Sequence, residues 1–242
     1  MNTQVEKMPL SKLIFLHLFP GFTIALVFVL LATFMKSAEV PALFWLVVAI
    51  PIGLIPTELG YLLYVGKQQN GRFSLKGILG YQNPLSWKQY LWMVPATFIS
   101  MLVLFTIAGV ADPFIYETMF GWLPSWLNVE LLDVAFFTKP LPLIITYLSV
   151  NMMAPAIEEL YFRGYLLPRI SQYGRWATLM HTFLFGLYHV WSPWHAIQRG
   201  IGTLPLAISA KRGNLNVAII THVLVNTIGF TLSILGAMAA AG

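Results

Sequence analysis

The ionisable residues that fall inside apolar stretches of this chain are few and grouped. Glu158, Glu159 and Arg163 occur in the run EELYFR, His189 closes FLFGLYH, and His222 and Asn226 bracket HVLVN. A charged group at bilayer depth costs about 2.5–3.5 kcal/mol on insertion scales, so each of these residues is a candidate for function. Glu159 and Arg163 are four apart, neighbours on one helical face and able to pair. Glu158 is rotated about 100° from Glu159 and is left to point elsewhere. His222 and Asn226 are also four apart and share a face, and Phe185 stands one turn before His189, beside the imidazole. A carboxylate with two imidazoles supports two chemistries. It can activate water by general-base catalysis. It can also ligate zinc, here through Glu158, His189 and His222, so that a metal-bound water becomes the nucleophile. Either way an acyl bond is hydrolysed, and His222 and Asn226 can donate hydrogen bonds to the oxyanion that develops. The plainer readings are a structural ion pair for Glu159–Arg163 and interhelical polar glue for His222–Asn226.

The elements that must position these side chains are set by composition. The chain is 58% hydrophobic and only 10% Asp, Glu, Lys or Arg, where soluble domains average about 25% charged. Mean hydropathy is +0.74. The expected fold is all-α, a polytopic membrane helix bundle forming one domain over residues 1–242. Seven spans are predicted, at roughly 12–35, 41–66, 89–111, 141–168, 176–192, 195–210 and 214–238, since a crossing takes about 20 mainly apolar residues. The first is too long for a signal peptide's apolar region and is kept as a helix. The sixth contains Arg199, Gly200, Gly202 and Pro205, the composition of a tilted or broken helix that lines a protein cavity. No internal repeat or soluble domain is visible.

Charge placement supports an N-inside, C-outside arrangement. Of the Lys and Arg residues, eleven fall on the cytoplasmic side of this scheme and three, Lys36, Lys139 and Arg199, on the other. The 67–88 connection reads as a basic segment along the inner headgroups. The 112–140 connection, with Asp112, Glu117, Glu130, Asp133, Trp122 and Trp126, reads as an outer interfacial segment with aromatic anchors. The net charge of +5 comes without a basic cluster interleaved with aromatics, so nucleic acid is not an expected partner. The absence of cysteine excludes disulfides and thiol catalysis.

Depth brings the polar groups together. At about 1.5 Å per residue from the cytoplasmic span ends, Glu158 and His222 lie roughly 15 Å in, and His189 and Asn226 roughly 21 Å. In a hydrocarbon core about 30 Å thick, three helices therefore bring these side chains to a common level. Glu58 is a lone acid in the second span. His17, His181 and His195 read as packing or interfacial residues.

EExxxR, FxxxH and HxxxN, in this order and each on an apolar helix, resemble the motifs of the CPBP family, the CAAX-protease and bacteriocin-processing intramembrane proteases, also called type II CAAX endopeptidases or Abi proteins. The resemblance covers roughly residues 141–230. It implies a helix bundle around an intramembrane polar cavity that cuts peptide bonds in membrane-associated substrates, lipidated (prenylated CAAX-type) peptides among them. It also implies a general base at Glu158 working with His189 on the water, oxyanion stabilisation by His222 and Asn226, and support of the site by Glu159 and Arg163. A metal-free, glutamate-activated water is the preferred mechanism, because the motifs supply donors for an oxyanion as well as a base. The expected protein is a multi-pass hydrolase of a bacterial inner (plasma) membrane, cutting within the bilayer or at its cytoplasmic edge. A proton-coupled transporter, which also carries acids and histidines at the midplane, and a non-catalytic scaffold or immunity protein remain as other readings.

Overall fold

The computed structural model describes residues 7–35, 39–124, 127, 129 and 132–241. Lys36, Trp126 and Glu130 lie outside the described residues. Every regular element among those described is helical. Five helices are long and apolar enough to cross a membrane: α1 (Leu10–Phe34), α2 (Ala42–Asn70), α3 (Trp87–Gly109), α4 (Pro140–Tyr173), and a C-terminal one crossing over Leu215–Ala240. Between the last two run three shorter helices, α5 (Trp176–Tyr188), α6 (Ala196–Gly202) and α7 (Leu204–Arg212), followed by α8 (Leu215–Ala241).

The fifth and sixth predicted spans are thus corrected. At 13 residues, α5 is about 20 Å long, well short of the hydrocarbon thickness. The predicted helix to residue 192 stops at Tyr188, with His189 already outside the helical region at ψ 56°, and Ser192, before Pro193, is extended at φ −146°. The sixth segment divides into α6 and α7 at Thr203, just before Pro205. Lys211 Nζ, at the far end of α7, donates to Thr178 Oγ1 near the start of α5 at 3.0 Å. The α5–α7 excursion therefore enters and returns to the same end of the bundle, so the inside–outside parity of the flanking spans survives the smaller count.

Local sequence explains the other irregularities. In α2, Pro56 cannot donate to the carbonyl of Ile52, and the helix widens into a π turn at Ile55–Gly60. In α4, Pro155 has the same effect, and wide turns cover Tyr147–Met153 and Glu159–Leu166. Gly71, at φ 70°, ends α2 in the left-handed conformation that glycine adopts without strain. Ser86 and Gln89 cap the start of α3, the backbone N–H of Ser86 donating to Gln89 Oε1 at 2.8 Å.

Helix α1 packs on α2 and α5, α3 packs on α6, α7 and α8, and α8 lies along α4. Large apolar side chains such as Phe15, Phe22, Leu26, Trp92, Ile107 and Leu232 face outward, as a lipid-facing surface requires. The centre is an aromatic cluster in which Phe162 meets both Phe185 and Tyr188 at ring separations of 4.9 Å. Contact with α1 is intimate. A Cβ on Gly21 would sit 1.8 Å from the carbonyl oxygen of Tyr188, and Tyr161 Oη donates to Leu16 O at 2.8 Å. The buried rings of His17 and His181 are also joined, at 3.0 Å. His17 Nδ1 donates to Leu13 O, so in a neutral ring its Nε2 accepts from Nδ1 of His181.

Candidate active site

Glu158 occupies the last α-helical position before the wide turn that begins at Glu159. The two acids consequently diverge, as their rotation on a helix requires. Glu159 is wholly buried and faces inward: its Oε1 lies 3.1 Å from Arg163 Nη1 and 2.8 Å from His222 Nδ1. Arg163 is also fully buried, its guanidinium carbon 3.9 Å from the centre of the Phe185 ring, so one ring supports both the cation and the end of α5. Glu158 faces the other way, into a cavity of about 350 Å³.

That cavity is also lined by His189, His222 and Asn226, so all four side chains that the sequence nominates for direct chemistry share one space. Glu159 and Arg163 stand behind it. His222 bridges the two layers: Nδ1 is held by Glu159, and Nε2 lies 3.9 Å from Glu158 Oε2. That separation is too long for a hydrogen bond and short enough for one water to touch both atoms. His189 follows the last residue of α5 rather than lying within a longer helix, and its Nδ1 donates to Phe185 O at 2.9 Å. This bond fixes the ring and leaves Nε2 as the acceptor of a neutral imidazole. Asn226 Nδ2 donates one hydrogen to Val150 O at 3.2 Å, on the widened part of α4. An amide has a second N–H and a carbonyl oxygen besides.

Three residues near this constellation were not singled out as site residues by the sequence. Tyr188 Oη reaches Glu158 Oε1 at 3.4 Å. Glu58 is fully buried beside the Tyr188 hydroxyl and within electrostatic reach of Glu158 and Arg163. Arg199, in the segment read as a broken helix lining a cavity, does line this one, with Nη1 bound to Ser192 O at 3.1 Å and Ser192 Oγ at 2.9 Å. The cost of a charge in an apolar segment applies to Arg199 as much as to Arg163 and was a usable signal. Asp112, in the 112–140 connection, is buried and paired with His195.

Residues 140–228 match the family described as type II CAAX prenyl endopeptidase, Rce1-like. That segment is Rce1-like. The matched residues run from the first residue of α4 into α8 and contain all three motifs, so the resemblance to the CAAX-protease family holds over them. The matched family is one of hydrolases, intramembrane peptidases of the CAAX type, and the five apolar helices are consistent with a multi-pass membrane protein. The first 139 residues lie outside the match. No curated protein and no solved structure matches the chain.

The zinc alternative can be compared with the donor geometry of the Rce1-like site. Among the described residues no three His, Asp or Glu side chains are grouped as a metal ion requires, Glu158, His189 and His222 included. Glu158 and His222 approach each other, and Nδ1 of each histidine is held by a protein acceptor, which leaves both Nε2 atoms for a water or a metal ion.

Proposed function

We propose that the chain is an intramembrane endopeptidase in which Glu158 activates water against a peptide carbonyl of a membrane-anchored, lipidated substrate. The observation that carries this reading is the opening of Glu158, His189, His222 and Asn226 into one cavity inside an apolar bundle. Water held near Glu158 and His189 attacks the carbonyl carbon as Glu158 takes its proton. The carbonyl oxygen becomes an oxyanion, which His222, held by Glu159 with its Nε2 side toward the cavity, stabilises together with the second N–H of Asn226. Collapse of the tetrahedral intermediate expels the amine, to which Glu158 returns the proton. The products are a carboxylate on one fragment and an amine on the other.

In this mechanism Glu159 and Arg163 are positioning residues, since neither lines the cavity. The apolar walls contributed by Leu43, Leu46 and Val47 of α2 and Leu102 and Phe105 of α3 suit a substrate that arrives through the bilayer with a lipid or apolar anchor. We place the enzyme in a bacterial inner (plasma) membrane. The family match favours neither a transporter nor an inert scaffold.

The test is cleavage of a quenched-fluorescent prenylated peptide by purified protein in detergent. Replacing Glu158 by Gln keeps size and hydrogen bonding but removes the base, and general-base catalysis contributes about 10²–10⁴-fold, so kcat falls by that factor. A Glu158→Gln protein that cleaves at the wild-type rate would sink the proposal.

A further inference from the structure

We propose that the cleft between the start of α5 and the end of α7 binds one anionic phospholipid, its phosphate at Arg175, Lys211 and Arg212 and its first methylenes along Leu179, Leu204 and Ile208. Among the described residues this cleft and the active cavity share no lining side chain, so the proposal is independent of the chemistry at Glu158.

The cleft holds about 330 Å³ and is lined by residues of α5 and α7 and by Arg175, which immediately precedes α5. Arg175, Lys211 and Arg212 are exposed at its rim, and none of the described residues lining it is acidic. The sequence accounts for this one-sidedness, since no Asp or Glu occurs after Glu159. Lys211 Nζ donates to Thr178 Oγ1 at 3.0 Å, which ties the ammonium to the opposite wall. Two ammonium hydrogens and the Thr178 hydroxyl hydrogen are left for an anion. The guanidinium carbon of Arg175 lies 5.3 Å from the centre of the Trp176 ring, which supports it at the mouth. Helix dipoles do not decide the sign of this site. The start of α5 and the end of α7 lie together, and their terminal charges of about half a unit oppose each other. Three whole side-chain charges remain.

Depth selects a lipid over a free anion. At about 1.5 Å per residue, Leu179 lies roughly 6 Å inward of Arg175, and Ile208 and Leu204 roughly 6 and 12 Å inward of Arg212. Basic rim and apolar floor are thus stacked in the order of a phosphate and its acyl chains. Leu179 and Ile208 are exposed, so the floor opens onto the lipid-facing surface. The volume, roughly eleven waters at about 30 Å³ each, accommodates a phosphate, its glycerol and the start of a chain. Trp176, exposed beside the cleft, suits the headgroup level. This end of the bundle also receives the basic 67–88 connection, through Arg169 Nη1 to Ile78 O at 3.1 Å and Leu215 N to Tyr81 O at 2.8 Å. It is the end that charge placement assigns to the cytoplasm, where basic pockets between helices meet anionic headgroups. A zwitterionic lipid carries the same phosphate together with a cation, which three positive side chains repel. A headgroup without an amine is therefore the occupant.

The experiment uses the full chain purified in neutral detergent, with phosphatidylglycerol, phosphatidylcholine or inorganic phosphate as the probe. Retained lipid is read by native mass spectrometry and stabilisation by melting temperature. Wild type is expected to hold one phosphatidylglycerol at least about tenfold more tightly than phosphatidylcholine, and to melt several degrees higher when saturated with it. Each cation beside an anionic headgroup is worth roughly fivefold in affinity. Arg175→Gln should therefore weaken phosphatidylglycerol about fivefold. Combining it with Lys211→Gln and Arg212→Gln should weaken it about a hundredfold and erase the preference. Joint replacement of Lys67, Lys76 and Lys88 by Gln removes as much charge from the same end outside the cleft, and both readouts should stay as in wild type. Ile208→Trp keeps every charge and fills the floor, and it is expected to lose the retained lipid even if the triple cleft variant fails to fold. Equal retention of the two lipids by wild type would overturn the proposal. So would an equal loss on replacing Lys67, Lys76 and Lys88, which would make the effect a general field of the basic end. Undiminished retention by both Arg175→Gln and Ile208→Trp would remove the lipid from this cleft. Inorganic phosphate that stabilises as much as phosphatidylglycerol would overturn the lipid assignment in favour of a free anion.

Discussion

Glu159 and His222 are joined by a 2.8 Å contact between Oε1 and Nδ1, and the same oxygen lies 3.1 Å from Arg163. A single buried carboxylate oxygen thus holds the histidine that faces the cavity and neutralises the cation behind it. Removing the charge of Glu159 has two separable consequences. Arg163 is left buried without its counter-ion, which costs about 3–5 kcal/mol. His222 loses its orientation, and a displacement of about 1 Å at a reacting group lowers turnover by as much as 10²-fold. Glu159→Gln is expected to melt at a markedly lower temperature in detergent and to lose about 10–100-fold in kcat while folded. Unchanged melting together with unchanged kcat would show that this oxygen organises nothing.

Asn226 makes the opposite prediction. It lines the cavity, its Nδ2 donates to the backbone carbonyl of Val150, and no charge depends on it. Asn226→Ala is expected to fold and to bind substrate with little change in KM. Loss of one oxyanion donor lowers kcat by about 10²–10³-fold. A rise in KM with kcat intact would make Asn226 a ground-state binding residue instead.

The donor geometry predicts insensitivity to chelators. No trio of metal-type side chains is drawn together among the described residues, Glu158, His189 and His222 included. Activity on the prenylated peptide is expected to be the same before and after incubation with a zinc chelator. Activity lost with chelator and restored by zinc would move Glu158, His189 and His222 into a metal shell.

Where the sequence was sufficient, a cost rule was at work. Burying Glu158, Glu159, Arg163, His189, His222 and Asn226 in apolar helices is expensive, and their periodicity said which would pair and which would face away. The structure pairs Glu159 with Arg163 and opens Glu158 to the cavity on that basis. Span counting went wrong where hydropathy is blind to backbone geometry. Segments 176–192 and 195–210 are apolar enough to resemble crossings, yet Pro193 and the Thr203–Pro205 break divide them into pieces too short to span. Tyr188 was hidden for another reason, and Glu58, visible as an intramembrane acid able to line the cavity, could not be tied to Glu158. A tyrosine at a helix end reads as an interface anchor, and a single acid on a distant helix carries no spacing signal. Only the three-dimensional approach of α2 and α5 to α4 brings them beside Glu158.

The last prediction concerns the helices outside the family match. α1 belongs to the unmatched residues, yet it touches the backbone of Tyr188, whose hydroxyl reaches Glu158 and whose next neighbour is His189. If α1 is part of the machinery rather than a separate anchor, enlarging its contact point must be felt in the cavity. A Cβ at Gly21 would meet Tyr188 O at 1.8 Å, far inside any tolerable contact, so α1 and the end of α5 must move apart. Gly21→Ala is expected to cost about 1–3 kcal/mol as an overpacked contact and to lower kcat by displacing Tyr188 and His189. Gly229→Ala is the matched control: it lies on exposed helix α8 with nothing within 4 Å of the added carbon, and it should be neutral or slightly stabilising, by about 0.5–1 kcal/mol. Melting temperature and kcat measured on both proteins decide the point. If Gly21→Ala matches Gly229→Ala in both, α1 does not position the site.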